Sequence, residues 1–159
     1  MKFQIEQIAL CPKDPVAAMK LLSAIGMKEW AEDHVVASGY VFGNEGTNGA
    51  DLNFNYTALE KTRELEVLHY SDGPNWMAEG SRANSVSHLG MHVTEEELEE
   101  WIDFFDSRGI KVAQEVYTSS HTNHFLLENG RTYHYVIFDT KEIIGTDLKF
   151  IVRINRSGA

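Results

Sequence analysis

Apolar residues recur at helical spacing in two stretches of the chain. In the first, DPVAAMKLLSAIGM, we predict a helix whose apolar face carries Val16, Met19, Leu22 and Ile25. In the second, TEEELEEWIDFFDSRGI, the apolar stripe consists of four residues, Leu98, Trp101, Ile102 and Phe105. Both stretches therefore predict helices with one face packed on a core and the other in water.

Residues suited to helix ends bound both stretches. Asp14 and Thr94 are favourable N-caps, and Thr94 has capping-box spacing with Glu97. Gly26 and Gly109 fit the residue that ends a helix, because glycine readily adopts a positive φ. The sequence thus predicts where both helices begin and where they end.

Each predicted helix follows a predicted strand, and the two halves of the chain correspond. Aligning IEQIALCP with VSHLGMHV places Gln7 on His88, and aligning LEVLHY with LKFIVR places Glu66 on Lys149. Two further strands fit between helix and closing strand in each half: KEWAEDHVVASGYVF and ADLNFNY, then IKVAQEVY and TYHYVIFDT. The stretches GNEGTNG (43–49) and TSSHTNHFLLENG (118–130) are predicted loops. The correspondence indicates an internal repeat.

The repeat predicts a single α+β domain over residues 1–159, made of two β-α-β-β-β modules. Module one spans about residues 1–70, a linker spans 71–84, and module two spans about 85–154, with a short C-terminal tail. One such module has too little sheet to bury a core alone. We therefore expect the two modules to form one curved mixed sheet around a central cavity.

The fifth predicted strand carries histidines on an unexpected face. Alternation in SVSHLGMHV places His88, Gly90 and His92 on the face of Val86, whereas Leu89 points to the opposite face. Imidazoles on the face that lacks the large apolar side chains suggest a binding role rather than core packing.

Composition narrows the function further. The hydrophobic content of 43% predicts a globular domain. A formal net charge of −10 disfavours nucleic acid and anionic membranes as partners. Cys11 is the only cysteine, and the N-terminal sequence has no signal-peptide pattern, so we expect a soluble cytoplasmic protein.

Paired β-α-β-β-β units, together with the motifs IEQIAL, LEVLHY, VSHLGMHV and DLKFIVRI, resemble the vicinal oxygen chelate superfamily. This superfamily includes glyoxalase I, extradiol dioxygenases and bleomycin-resistance proteins. The resemblance implies a homodimer and one inward metal-ligand position on each of the four strands. Those positions here are Gln7, Glu66, His88 and Lys149. The first three match the glyoxalase I type and would bind Zn, Ni, Mn or Fe.

Lys149 departs from that pattern, because an ammonium group has no lone pair for a metal. Three interpretations follow. In the first, Glu66 and Lys149 form a buried ion pair in a metal-free cavity. In the second, Gln7, Glu66 and His88 hold a metal while Lys149 meets an anionic substrate. In the third, His88 joins a loop histidine such as His124 in a different metal site.

Three residues of the seventh predicted strand add candidate ligand contacts. Arg131, Tyr133 and Tyr135 share one face of GRTYHYVIFDT, and His124 lies in the preceding loop, which we expect near a pocket mouth. If that strand face points inward, its guanidinium favours a small anionic ligand.

We therefore expect a protein that binds a small molecule in a cavity lined by Gln7, Glu66, His88 and Lys149. One hypothesis is a metal-dependent lyase or oxygenase in which Glu66 and Lys149 take part in catalysis. The alternatives are a metal-free binding protein of the bleomycin-resistance type and a scaffold or inhibitory protein without a working site.

Overall fold

The computed structural model describes residues 1–59, 63–122, 124 and 127–154, so the predicted tail beyond residue 154 lies outside the described residues. The strands are β1 (Gln7–Cys11), β2 (Ala31–Val41), β3 (Asn44–Asn55), β4 (Glu64–Asp72), β5 (Ser85–His92), β6 (Val112–His121), β7 (Thr132–Phe138) and β8 (Asp147–Arg153). The helices are α1 (Pro15–Ala24), α2 (Asn75–Gly80), α3 (Glu95–Asp106) and α4 (Lys141–Ile144).

The eight strands close into a barrel in the order β1-β4-β3-β2-β6-β7-β8-β5. Strands β1 and β4 pair in parallel, as do β5 and β8, and the other neighbours are antiparallel. The fold is therefore α+β with a curved mixed sheet around an interior, as the sequence predicts. None of the helices in the described ranges is long and apolar enough to cross a bilayer.

Helix α3 confirms its predicted pattern. Thr94 caps it through a complete capping box with Glu97. Leu98, Trp101 and Phe105 are buried against the outer face of the sheet, where Trp101 and Phe105 join an aromatic cluster with Phe138 and Phe150. This cluster holds α3 on the barrel wall formed by β7 and β8.

Helix α1 differs from its predicted pattern. Asp14 caps it as predicted, with its carboxylate accepting a hydrogen bond from the backbone N–H of Ala17. However, Val16 and Ile25 are 77% and 65% exposed, so the predicted packing of these two residues is wrong. The helix carries apolar residues on most of its circumference, and spacing alone therefore did not identify the buried side.

Two strand boundaries and two short helices differ from the sequence prediction. Residues 44–49 of the predicted glycine-rich loop belong to β3, which turns back from β2 through Phe42 and Gly43, both at positive φ. Strand β6 continues to His121, well into the predicted loop 118–130. The short helices α2 and α4 were not predicted.

A β-bulge in β5 changes the predicted face of that strand. Ala9 of β1 lies opposite His88, whereas Leu10 lies opposite Val86, so Ser87 is an extra residue between them. Ser87 and His88 are consequently both buried, and Val86 is 40% exposed. The prediction that Val86 shares the face of His88 is therefore wrong, because simple alternation fails at a bulge.

Candidate functional site: a polar cavity inside the barrel

The four residues aligned by the repeat lie on four consecutive strands of the barrel. Gln7 is on β1, Glu66 on β4, His88 on β5 and Lys149 on β8, and their exposed fractions are 3%, 2%, 1% and 5%. Four buried polar side chains on neighbouring strands are unusual in a core, because each requires a compensating interaction.

Small residues separate these polar side chains across the sheet. Ala9 lies between Glu66 and His88 in the strand register. Gly90 lies between Gln7 and Lys149, and a Cβ atom built on Gly90 would come within 3.2 Å of the Gln7 side chain. The absence of a side chain at Gly90 therefore leaves room for the Gln7 side chain itself.

A chain of hydrogen bonds connects one side of the site. His88 Nε2 lies 2.7 Å from Gln7 Oε1, and its Nδ1 lies 3.1 Å from Ser87 Oγ. Gln7 Nε2 donates to the Glu64 carboxylate. Because an ionised carboxylate only accepts, the Gln7 amide nitrogen must face Glu64 and its oxygen must face His88. His88 therefore donates from Nε2 and accepts the Ser87 hydroxyl at Nδ1.

This arrangement keeps His88 neutral. Burial, followed by the nearby Lys149 charge, lowers the pKa of His88 well below its usual value. Both ring nitrogens are already used, one as a donor and one as an acceptor. A metal ion at His88 would have to displace a hydrogen bond that the buried site otherwise satisfies.

Glu66 and Lys149 occupy the other side of the site and line the same inner cavity of about 30 Å³, together with His88. Burial raises the pKa of Glu66 to about 7, although the Lys149 charge opposes this rise. Burial lowers the pKa of Lys149, and the Glu66 charge opposes that fall. The two groups interact electrostatically, but they form no salt bridge or hydrogen bond with each other. The direct ion pair of the first interpretation is therefore not formed.

Lys149 instead contacts an aromatic ring. Its Nζ lies 3.9 Å from the ring centroid of Tyr135, which is the geometry of a cation–π contact. Tyr135 in turn stacks on Tyr133, with ring centroids 5.5 Å apart. The two tyrosines form one wall of the barrel interior beside the lysine.

The face of β7 that carries Arg131, Tyr133 and Tyr135 points inward. These three residues line an outer cavity of about 50 Å³, and Glu66 and Tyr135 also line the inner one. Arg131 Nη2 lies 2.5 Å from Asp33 Oδ2, and the Asp33 side chain is 1% exposed. The guanidinium is thus already engaged by a buried carboxylate.

His124 lies elsewhere. It lines an open pocket of about 590 Å³ formed by residues of β2, β3 and β6, among them His34 and His121. His88 lines the inner cavity and does not line this pocket. The position of His124 near an opening agrees with the predicted placement, whereas the third interpretation receives no support.

Sequence reasoning missed Glu64 and Asp33. Glu64 alternates with Glu66 in ELEVLHY, and Asp33 alternates with Val35 in β2, so both could have been identified as inward-facing from strand period alone. With them the lining contains three carboxyl groups against the two cations Lys149 and Arg131.

The residues present fit a metal poorly. Among the described residues, no group of three His, Cys, Asp or Glu side chains is placed to hold a metal ion. Gln7 and His88 bond to each other, and Lys149 brings a positive charge to the fourth position. A divalent cation would meet that charge inside a small cavity where charges are poorly screened.

Comparison with known proteins shows a similar fold and no close relative. No protein-family model matches the sequence, and no curated protein matches it. The chain is similar in structure to a hypothetical protein from Bacillus halodurans C-125, with a TM-score of 0.53 and 10% sequence identity over 98% of each chain. At this identity the likeness concerns the fold alone.

Proposed function

We propose that this protein binds a small polar molecule inside the barrel without a metal ion, and that Glu66 exchanges protons with the bound molecule. The observation that carries the proposal is the hydrogen-bond chain from Ser87 through His88 and Gln7 to Glu64. These hydrogen bonds engage Gln7 and His88, which would otherwise be available to a metal. Glu66 and Lys149 remain facing the cavity.

We further propose that the barrel is a vicinal-oxygen-chelate scaffold of two duplicated β-α-β-β-β modules. The element order and the two parallel pairs, β1 with β4 and β5 with β8, support this view. The same resemblance leads us to propose a homodimer. Light scattering of the purified protein tests the dimer, and a monomeric mass at micromolar concentration would contradict it.

The charge balance favours a neutral ligand over an anionic one. Arg131, which the sequence offered as an anion-binding group, is neutralised by Asp33. The remaining ammonium of Lys149 faces Glu66 and Glu64, which both act on its pKa. An added anion would meet more negative than positive charge, whereas a neutral polar molecule would meet donors and acceptors without that penalty.

Glu66 is suited to proton exchange. A group is most effective as a general acid or base when its pKa lies near the working pH, and burial raises the pKa of Glu66 to about 7. At neutral pH both its protonated and its ionised forms are therefore populated. A bound molecule in the inner cavity would contact this carboxyl group within a mostly closed space.

Two measurements test the proposal. Tag-free protein, soaked in turn with Zn²⁺, Ni²⁺, Mn²⁺ and Fe²⁺ and then desalted, should retain less than one metal per ten chains by elemental analysis. Neutral, anionic and cationic compounds of a few heavy atoms are then screened by thermal shift. Neutral compounds should raise Tm most, and Glu66→Gln should abolish the shift.

The matched control is Glu45→Gln, which changes an exposed carboxylate near the start of β3. It should leave both metal content and thermal shifts unchanged. Stoichiometric metal in the wild-type protein that is lost in His88→Ala would overturn the metal-free site. Thermal shifts that Glu66→Gln leaves intact would overturn the cavity as the binding site.

A further inference from the structure

Lys149 is a buried amine without a carboxylate partner at contact distance. The residue is 5% exposed. Within the described part of the chain, its side-chain Nζ makes no salt bridge or hydrogen bond. Its Nζ lies over the Tyr135 ring, with the inner cavity beside it. Buried lysines in ordinary cores are paired, because an isolated ammonium is costly to desolvate.

Desolvation makes such an amine a nucleophile. Burial lowers the pKa of Lys149, so the uncharged amine is reached at a lower pH than in an exposed lysine. Lysines desolvated in this way form imines with carbonyl compounds. A general acid must assist, because hydroxide is a poor leaving group, and Glu66 lines the same cavity.

We propose that Lys149 forms an imine with a small neutral aldehyde or ketone bound in the inner cavity, with Glu66 moving the protons. This inference rests on the cavity of the proposed function and names its substrate class. The geometry that supports it is the shared lining of one small inner cavity by the amine, the carboxyl group and the Tyr135 ring.

The step balances without any further reactant. Because the two groups are not in contact, a water in the cavity relays a proton from the Lys149 ammonium to the Glu66 carboxylate. The free amine then attacks the carbonyl carbon, forming a C–N bond. A proton moves from nitrogen to the former carbonyl oxygen, which gives a carbinolamine. Glu66 then donates its proton to this hydroxyl group, the C–O bond breaks, and water leaves. The product is a protonated imine, which carries the single positive charge that the ammonium had.

The cavities limit the size of the carbonyl compound. The inner cavity of about 30 Å³ exceeds the roughly 10–15 Å³ that one water needs, and it shares Glu66 and Tyr135 with the outer cavity of about 50 Å³. The outer cavity shares Asp33 with the open pocket of about 590 Å³. A carbonyl compound of no more than about three carbons matches this space, and the inference requires that it enters past the Arg131–Asp33 pair.

Reductive trapping tests the inference on the intact protein. The chain is incubated with propionaldehyde and sodium cyanoborohydride at pH 7, digested, and analysed by peptide mass spectrometry. Lys149 should gain one propyl group at least tenfold faster than Lys13 and Lys20, which are exposed. This order is the reverse of what burial alone would produce, since a merely buried lysine is the slowest to react.

Two variants refine the result. Glu66→Gln should slow labelling of Lys149 about tenfold and leave Lys13 unchanged, and Lys149→Arg should remove the fast site. Labelling of wild-type Lys149 no faster than Lys13, or only in denaturant, overturns the inference even if both variants fail to fold. If Lys149 stays unlabelled while non-carbonyl compounds still give Glu66-dependent thermal shifts, the imine is wrong and the proposed function stands. If those shifts are also missing, the proposed function fails as well.

Discussion

The two sides of the cavity solve the problem of buried polarity in opposite ways. On one side, Gln7 and His88 bond directly, and Ser87 and Glu64 complete a chain in which each donor meets an acceptor. On the other side, Glu66 and Lys149 occupy the positions that the repeat relates to each other, yet they make no direct bond. The hydrogen bonds of the first side are saturated, whereas the second side keeps unused hydrogen-bonding capacity.

The difference supports the proposal that the saturated side is structural and that the charged side takes part in chemistry. A saturated network fixes geometry, and removing one member leaves a partner unsatisfied. Groups with perturbed pKa values in a cavity are candidates for chemistry. Two pairs of positions that align in the sequence thus have different surroundings in the barrel.

The largest expected effect comes from breaking the saturated side. His88→Ala removes a buried imidazole and leaves Gln7 Oε1 without its donor, which should lower the free energy of unfolding by about 4 kcal/mol. Urea denaturation measures the change. His92→Ala, on the exposed end of the same strand, is the control and should cost less than about 0.5 kcal/mol. Equal losses of unfolding free energy in the two variants would show that this chain of hydrogen bonds does not stabilise the fold.

The next effect concerns the pH dependence of the charged side. Glu66 has a folded-state pKa of about 7, above the unfolded value of 4.5. The folded wild type therefore binds the proton more tightly, and it loses this advantage as pH rises through 7. Relative to Glu66→Gln, the free energy of unfolding of the wild type should fall by about 3 kcal/mol between pH 4.5 and pH 8.

Denaturation curves of both proteins across this pH range test the sign. The Glu45→Gln control should track the wild type at every pH. A stability difference between Glu66→Gln and wild type that stays constant with pH would mean that Glu66 titrates normally.

A smaller effect measures the coupling across the charged side. A double-mutant cycle with Glu66→Gln and Lys149→Met should give a coupling of about 2 kcal/mol at pH 8, because the charges attract through a poorly screened interior. The coupling should fall towards zero at pH 5, where Glu66 is protonated. A coupling independent of pH would assign the interaction to packing rather than to charge.

The smallest expected change in stability concerns the hydrogen bond between Ser87 and His88 on the saturated side. Ser87→Ala leaves His88 Nδ1 without its donor and should cost about 1 kcal/mol. Nitrogen NMR of the wild type should show the proton on Nε2 of His88 and an imidazole that stays neutral below its ordinary pKa, because burial lowers the pKa of His88. A proton on Nδ1 instead would reverse the direction of the hydrogen-bond chain, with Gln7 donating to Nε2.

Much of the site could be predicted from the alternation of residues along the strands. The rest depends on contacts between distant parts of the sequence. Alternation placed Arg131, Tyr133 and Tyr135 on one face, and the repeat placed Glu66 and Lys149 together. The bulge at Ser87 could not be predicted, because it depends on the register between two strands distant in sequence.

The remaining gaps have similar physical causes. A repeat shows that two side chains face each other but not the distance between them, so the missing Glu66–Lys149 bond lay beyond the sequence. Likewise, α1 has apolar residues around most of its surface, and only packing decides that Val16 is exposed. The short helices α2 and α4 have too few turns for a periodic signal.

Gly90 sets how closely the side chains of two neighbouring strands can approach. A Cβ atom at this position would come within 3.2 Å of Gln7 and 3.4 Å of Ile151. Even alanine would therefore press on the amide that bonds to His88. The polar network thus depends on a residue that contributes no polar side-chain atom of its own.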